Sequence, residues 1–594
     1  MKKRRWVIHK PLSEKEKTKF PDIHPVILQL LFNRGITSRR QMENFLSARF
    51  ESISSPFDLT DMDKAVARVL KALKEGEKIT VYADYDADAV TACAVLYLGL
   101  ERMGAQKLAY YIPDRFEEGY GVNLQAVEQI AKQGTNLMIT VDCGINSIRE
   151  VERAKELGMD VIVTDHHHIT DGLPPACAVV NHHREKREEL AGLTGVGTAF
   201  KLMQGLMAAL FPEEYAKVYH WNVPKTAREN FQPGEKLPNN VLFPHWEKWL
   251  LDLVAIGTVA DCQQLTGESR ILVKYGLRVL KKTRWMGLKQ LLRSAGIEDS
   301  KNFDTFKIGF IIAPRINAAG RIQHADIALR LLISQTAEEA ALYAGQLESL
   351  NAHRQRLTKQ VFSEALSQIE LQQENKLLVV MGENWPKGVV GLVASRIAEE
   401  YYRPVVVLEK SNGSVTGSAR SIPSFDIVDA FSAAAELLER FGGHSQAAGL
   451  TIRTHNVEKF HQKILEFAEA KITDEDLAKT QYIDLVAEPE EINQQLIDQL
   501  KDLEPYGSGN PVPTFLFEKM RVENMRLVGN NSTHLKLQAR KNSQIFDMIG
   551  FGQGFRAKSL APGDLFDVIV HPSENEWNGK KEVQFKIIDL KKSN

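Results

Sequence analysis

Cysteine is scarce: four residues in 594, Cys93, Cys143, Cys177 and Cys262, and no two of them form a C-x-x-C pair. That spacing excludes a disulfide framework and a thiolate zinc site and fits a reducing compartment. No apolar run reaches the ~20 residues of a membrane span. The basic start "MKKRRWVIHK" is not followed by the apolar core of a secretory signal. A cytoplasmic protein with no membrane association is expected. Excess charge is also missing, with a formal net charge of -1, so any polyanion must be held by a local patch. No internal repeat is apparent.

A hydrophobic fraction of 43% with 25% charged residues is that of a globular protein. At this length several domains are expected. Residues 1–55 form a preface in which "TSRRQMENFL" places a Thr cap before a helical pattern. From residue 78, β-branched runs ("KITVYA", "KLAYYIP", "LMITV", "DVIVT") alternate with amphipathic helical stretches, predicting an α/β domain with a parallel sheet over 56–335. The Pro/Asn/Lys-rich segment 222–247 interrupts it as a surface insertion. Residues 336–374 keep apolar residues at three- and four-residue spacing without proline, predicting a long connecting helix. A second α/β pattern covers 375–474. Short alternating strands over 475–594 predict a β-barrel or sandwich.

The chemistry concentrates at strand ends. "VYADYDADAV" runs a buried strand into Asp84, Asp86 and Asp88. Acids at alternate positions along an extended strand spread over about 13 Å, whereas paired catalytic ions lie about 3.5–4 Å apart. The strand must therefore end near Asp86 and curl into the next helix. "LMITV" ends in Asp142, "DVIVT" in Asp165-His166-His167-His168, and "GTVAD" supplies Asp261. An acid after a strand is often only a helix cap. Three strands of one sheet ending in oxygen and imidazole donors, without thiolate, point instead to Mn²⁺ or Mg²⁺.

"DYDAD", "VDCG", "TDHHH" and "GTVAD", in this order, resemble the four motifs of the DHH phosphoesterase family. "IPDRFEEGYGVN", "PRINAAGRI", "GVVGLVASRI", "GSARS", "FGGHSQAAGL" and "PYGSGNPVPTF" extend the resemblance from residue 60 to the end, toward the family's single-strand-specific 5′→3′ DNA exonucleases. The resemblance implies two ions held by Asp86, Asp88, Asp142, His166 and Asp261, with Asp84, Asp165 and His167 as further ligands or as catalytic groups that orient them. It implies substrate contacts by Arg315, Asn317, Arg321, Arg420, Gly442, Gly443 and His444. It also implies a DHH-associated domain, an OB-like barrel with Lys536, Lys558 and Trp577 as candidate contacts, and a role in DNA repair and recombination. The partner would be single-stranded DNA, with a helicase and a single-strand-binding protein as further candidates, acting on a monomer. A phosphodiesterase for short oligonucleotides or cyclic dinucleotides, and a non-catalytic replication factor, are the alternatives.

The pattern has departures. "DYDxDG" becomes "DYDADA", so a left-handed requirement at Ala89 would strain the turn. Trp385-Pro386-Lys387 lacks the His that relatives carry before "GVVG", and Gln263-Gln264 replace more apolar residues or Pro. The acids and His166 remain, and an active enzyme is expected.

Overall fold

The computed structural model describes residues 4–185, 187, 190–229, 231, 242–298, 303–411, 413–577 and 580–593. The chain forms two compact units, Ile53–Gln263 with Leu272–Lys479, and Arg4–Ser52 with Gln264–Ile271 and Thr480–Asn594. Residue 230 and residues 232–241 of the expected insertion lie outside the described residues.

In the first unit, five parallel strands are β1 (Lys78–Ala83), β2 (Lys107–Tyr111), β3 (Leu137–Val141), β4 (Asp160–Thr164) and β5 (Ala178–Val180), ordered β2-β1-β3-β4-β5. β3 is buried along its whole length, as befits a strand covered on both faces. Helix α1 (Ala87–Arg102) packs against α2 (Gly195–Leu210) and α3 (Leu251–Ala260). Helix α4 (Ala313–Ile322) continues from a π-helical turn, Ile308–Ile312, and leads toward α5 (Ala337–Glu370), 34 residues long.

The second sheet of this unit contains β6 (Leu378–Glu383), β7 (Val405–Ser411), β8 (Ser414–Arg420), β9 (Leu438–His444) and β10 (Ala447–Arg453), ordered β9-β10-β8-β7-β6. The pair β6 and β7 is parallel; the other pairings are antiparallel. Helix α6 (Lys387–Tyr401) packs on β7 and β8.

In the second unit, β11 (Leu485–Val486), β12 (Phe515–Val528), β13 (His534–Lys541), β14 (Gln544–Gly550), β15 (Leu565–Trp577) and β16 (Lys580–Lys592) form a sheet closed by pairing of β12 with β15. That closure makes it a barrel. Strands Arg5–Ile8 and Thr480–Ile483 pair in parallel, and Leu30 and Leu31 share a core with Phe515, Phe517 and Leu535. The helix in "TSRRQMENFL" is capped by Ser38 rather than Thr37. Ser38 Oγ accepts from the Gln41 N–H, and the Gln41 side chain accepts from the Ser38 N–H, a capping box.

Candidate active site

The acids gather because β1, β3 and β4 are neighbours and end together. β1 stops at Ala83, and Asp86 caps α1, accepting from the Asp88 and Ala89 N–H groups at 2.9 and 3.1 Å. Ala89 thus lies in the first turn of a right-handed helix, and its missing Gly brings no backbone strain. Asp88 is buried and accepts from the N–H groups of Gly195 (2.7 Å) and Val196 (3.0 Å), the first residues of α2. An N-terminal helix end is suited to hold a carboxylate.

Asp142 follows β3 with φ +60, a conformation that an aspartate adopts at a cost and that recurs at functional sites. His166 Nε2 lies 3.0 Å from Asp142 Oδ1 and 4.0 Å from Asp88 Oδ2. Asp142 Oδ1 and Asp84 Oδ1 are buried acceptors that receive no well-directed hydrogen bond. Two donor sets result, Asp142–His166–His167 and Asp88–His166–Asp261. In each set the ligand atoms lie within 4.8 Å of one another, and His166 belongs to both.

Electrostatics separates the roles. Burial, then Asp261 and Asp86, raises Asp88 well above the carboxylate range; burial and Asp88 do the same to Asp142. Burial and Asp86 push Asp84 and Asp261 up to about 7. Burial brings His166 down to about 3, so its imidazole is neutral and able to ligate. Uncompensated carboxylates around a neutral imidazole fit a divalent cation.

Asp165 differs. Burial opposes its ionisation, but the His167 hydrogen bond and backbone N–H groups outweigh burial and lower it. Its Oδ1 is 2.7 Å from His167 Nδ1 and also accepts from the His166 and His167 N–H groups, while Oδ2 accepts from the Ile145 N–H. Asp165 therefore uses its oxygens to fix the His-His segment. His167 Nε2 is 3.0 Å from the exposed Tyr120 hydroxyl.

The other sequence-selected residues are scattered more widely. "PRINAAGRI" lies in helix α4. Arg315 pairs with Glu348 at 2.7 Å, and Asn317 Oδ1 accepts from the Ala87 N–H at 2.8 Å, tying α4 to the aspartate-bearing turn. Arg321 Nη1 donates to the Gly388 carbonyl, and Arg420 Nη1 to the Ala419 carbonyl. Gly442 and Gly443 lie in β9. His444 lines a cleft of about 730 Å³ with Tyr120, Asp165, His166, His167 and His168. Trp385 is buried, its Nε1 donating to Glu364, and Pro386 is the N-cap residue of α6. In the barrel unit Lys536 is half-buried on β13 and Lys558 is exposed, while the side chain of Trp577 lies outside the described residues.

Several contributors went unmarked in the sequence. A Cβ at Gly195 would lie 2.4 Å from Asp142 Cβ, and one at Gly257 would lie 2.3 Å from Thr91 Oγ1 and 2.7 Å from Asp88 Oδ1. Arg115 and Arg354 stand with Arg420 around Arg321, whose guanidinium is brought down to about 10 by burial and then by these three cations. Arg115 sits inside the quoted "IPDRFEEGYGVN" and could have been read there.

Residues 78–224 match the N-terminal domain of the DHH family, 374–470 the DHHA1 domain and 483–589 the RecJ OB domain. The single-stranded-DNA-specific exonuclease RecJ of Bacillus subtilis is 36% identical over 594 residues, covering 99% of this chain and 71% of that protein. The Salmonella typhimurium protein of the same name is 32% identical, with 96% of each chain covered.

The chain belongs to the RecJ family.

The crystal structure of RecJ in complex with Mn²⁺ from Thermus thermophilus matches 99% of this chain and 80% of its own, with a TM-score of 0.81 at 30% identity. A Mg²⁺ complex from the same organism matches with a TM-score of 0.74 at 28% identity. RecJ membership accounts for the order of DHH, DHHA1 and OB segments, and the ions in those two crystals are of the hard type to which the donor set here is suited. Among the described residues no helix is long and apolar enough to cross a membrane.

Proposed function

We propose that this chain is a single-stranded-DNA-specific exonuclease that hydrolyses phosphodiester bonds in the 5′→3′ direction. The observation that carries the reading is the pair of donor sets sharing His166 beside a cluster of four guanidiniums. Asp86, Asp88, Asp142, His166 and Asp261 would hold two Mn²⁺ or Mg²⁺ ions. Bound there, a pair of divalent ions supplies activation of water and stabilisation of charge on the leaving oxygen. The protein's own part is positioning. Asp165 fixes His167 and the His166 backbone, the α2 N-terminus fixes Asp88, and α4 braces the aspartate turn through Asn317.

Arg115, Arg354 and Arg420 all press on Arg321 and lower its proton affinity, and a cluster of cations in that state favours an incoming phosphate. His444, Gly442 and Gly443 would flank the strand from the second sheet, and the barrel would add affinity. The resident compartment is the cytoplasm, the role repair and recombination, and the working species a monomer that cooperates with a helicase and a single-strand-binding protein.

The test is a degradation assay with Mn²⁺ or Mg²⁺ on single-stranded and duplex oligonucleotides labelled at either end. Loss of single strand from the 5′ end, absent in Asp142→Ala, is the expected result. Endonucleolytic or 3′-end products, or undiminished turnover by Asp142→Ala, would overturn it.

A further inference from the structure

Residues 272–293 hold seven lysines and arginines and neither aspartate nor glutamate, in a chain whose formal net charge is -1. Arg278, Lys281, Lys282, Arg284, Lys289 and Arg293 are exposed. Arg293 pairs with Glu298 at 2.8 Å. Among the described residues no carboxylate lies in ion-pair contact with the other five. Protein surfaces ordinarily intersperse the two signs, because a field of one sign repels itself.

Helix stability accounts for only part of this charge. Arg278 is in the last turn of the helix Gly267–Leu280 and Lys281 follows it, where cations complement the helix dipole. Arg284 and Lys289 stand in the opposite relation. They flank the start of the helix Met286–Ser294, whose first turn carries no acid and whose dipole disfavours cations. Aromatic rings, not acids, hold two of the guanidiniums: Arg278 lies over Tyr275, 4.7 Å from the centroid, and Arg284 over Trp249 at 3.8 Å. Stacking occupies the face of a guanidinium and leaves its N–H edge for an acceptor. Burial, then the neighbouring Arg102, lowers the proton affinity of Arg284 despite Asp252.

The patch is separate from the metal site. Arg102 ends α1, whose first turn carries Asp88. Fourteen residues of helix set the two apart by about 21 Å. A Cβ at Gly276 would lie 2.2 Å from the Leu251 carbonyl at the start of α3, while Asp261 follows the end of that helix. Both helices thus place the cations at the end of the lobe remote from the acids.

We propose that this surface grips the phosphate backbone of duplex DNA, the double-stranded part of a substrate whose single-stranded 5′ tail enters the metal site. The cations stand exposed at helix ends, where they meet phosphates and not base edges, so the contact is indifferent to sequence. A duplex presents one charge per ~1.7 Å of axis, twice the density of one of its strands, and gains the more from an open patch. The inference rests on the exonuclease reading for the identity of the polyanion, but its test is by binding.

The experiment measures fluorescence anisotropy of a 5′-tailed duplex, and of the tail alone, with the full chain carrying Asp142→Ala to stop turnover, over about 50–200 mM salt. Each lost phosphate contact on B-form DNA removes about 0.9 from the slope of log affinity against log salt. Lys281→Glu/Lys282→Glu/Arg284→Glu should therefore flatten the slope for the tailed duplex by about 2.7 and leave binding of the tail unchanged. Retained binding of the tail shows that the charge-reversed chain is folded. Lys281→Gln/Lys282→Gln, a milder change, should flatten the slope by about 1.8, and Lys281→Arg/Lys282→Arg should keep it. An unchanged slope on the tailed duplex in the glutamine variant overturns the proposal. So does an equal loss on tail and tailed duplex in that variant, which would put the patch on the path of the single strand. Loss of binding to phosphatidylserine vesicles or to polyglutamate with no change on DNA also overturns it, since the patch would then serve a membrane or an acidic protein. Failure of the exonuclease reading shows separately, as absence of metal-dependent products with Asp142 intact.

Discussion

At the residue scale, the unusual fact is how many protons the site would keep. Asp84 and Asp261 titrate near 7, and Asp88 and Asp142 lie well above the carboxylate range, each chiefly through burial. Because the folded values exceed the unfolded ones near ~4, the folded, ion-free protein binds protons that the unfolded chain has released. The stabilising contribution of Asp84 and Asp261 is complete below about pH 4 and is lost as pH rises through about 7. The melting temperature of the ion-free protein should therefore fall between about pH 5.5 and about pH 8, and Mn²⁺ should raise it more at the higher pH. Calorimetry in buffers of different ionisation enthalpy should register proton release on Mn²⁺ binding; an equal Mn²⁺ effect at both pH values would rule out these acids as its ligands. The glycines impose a harder limit. Gly257→Ala should cost about 1–3 kcal/mol by overpacking against Thr91 and Asp88 and should weaken Mn²⁺ binding. Thermal unfolding and a metal titration check both.

At the element scale, strand ends were legible and helix-borne contacts were not. Asp84, Asp142 and the Asp165-His166 pair stand out because each follows a run of β-branched residues, and the sheet makes those ends adjacent. "PRINAAGRI" is locally ambiguous: Pro314, Gly320 and its small residues suit a turn, but Pro at a helix start and small residues facing a close neighbour suit α4 equally well. A Cβ at Gly320 would lie 2.7 Å from the Tyr85 carbonyl, so smallness there serves packing. Gly442 and Gly443 take their place in β9 by pairing with β10, a partnership that their own sequence does not announce. The guanidinium of Arg420, at the end of β8, donates to its own strand's Ala419 carbonyl and Ser418 hydroxyl. Arg420→Ala should weaken single-strand binding and reduce the slope of log affinity against log salt by about 0.7, one phosphate contact's share. A slope that stays at its original value would take Arg420 off the binding path.

At the scale of the whole molecule, alternation of pattern predicted the two α/β regions and a barrel or sandwich, but no periodicity shows which segments share a core when they lie far apart in sequence. The buried residues Val26, Ile27, Leu28, Leu30 and Leu31 belong to the same cluster as Phe515 and Phe517. Removing 480–594 alone should expose those five side chains, at a cost on the order of 10 kcal/mol. That truncation should aggregate, while removal of 1–52 as well should recover solubility; size-exclusion chromatography of the two would decide. The parallel pair of Arg5–Ile8 with Thr480–Ile483 makes the separation concrete, since Arg5 lies opposite Thr480. A ribosome adding about 5–20 residues per second needs roughly half a minute to a minute and a half to bridge that interval. For all that time the first strand is out of the tunnel with its partner not yet made, so completion of this unit is timed by translation and its apolar leading segment is a client for whatever shields nascent chains.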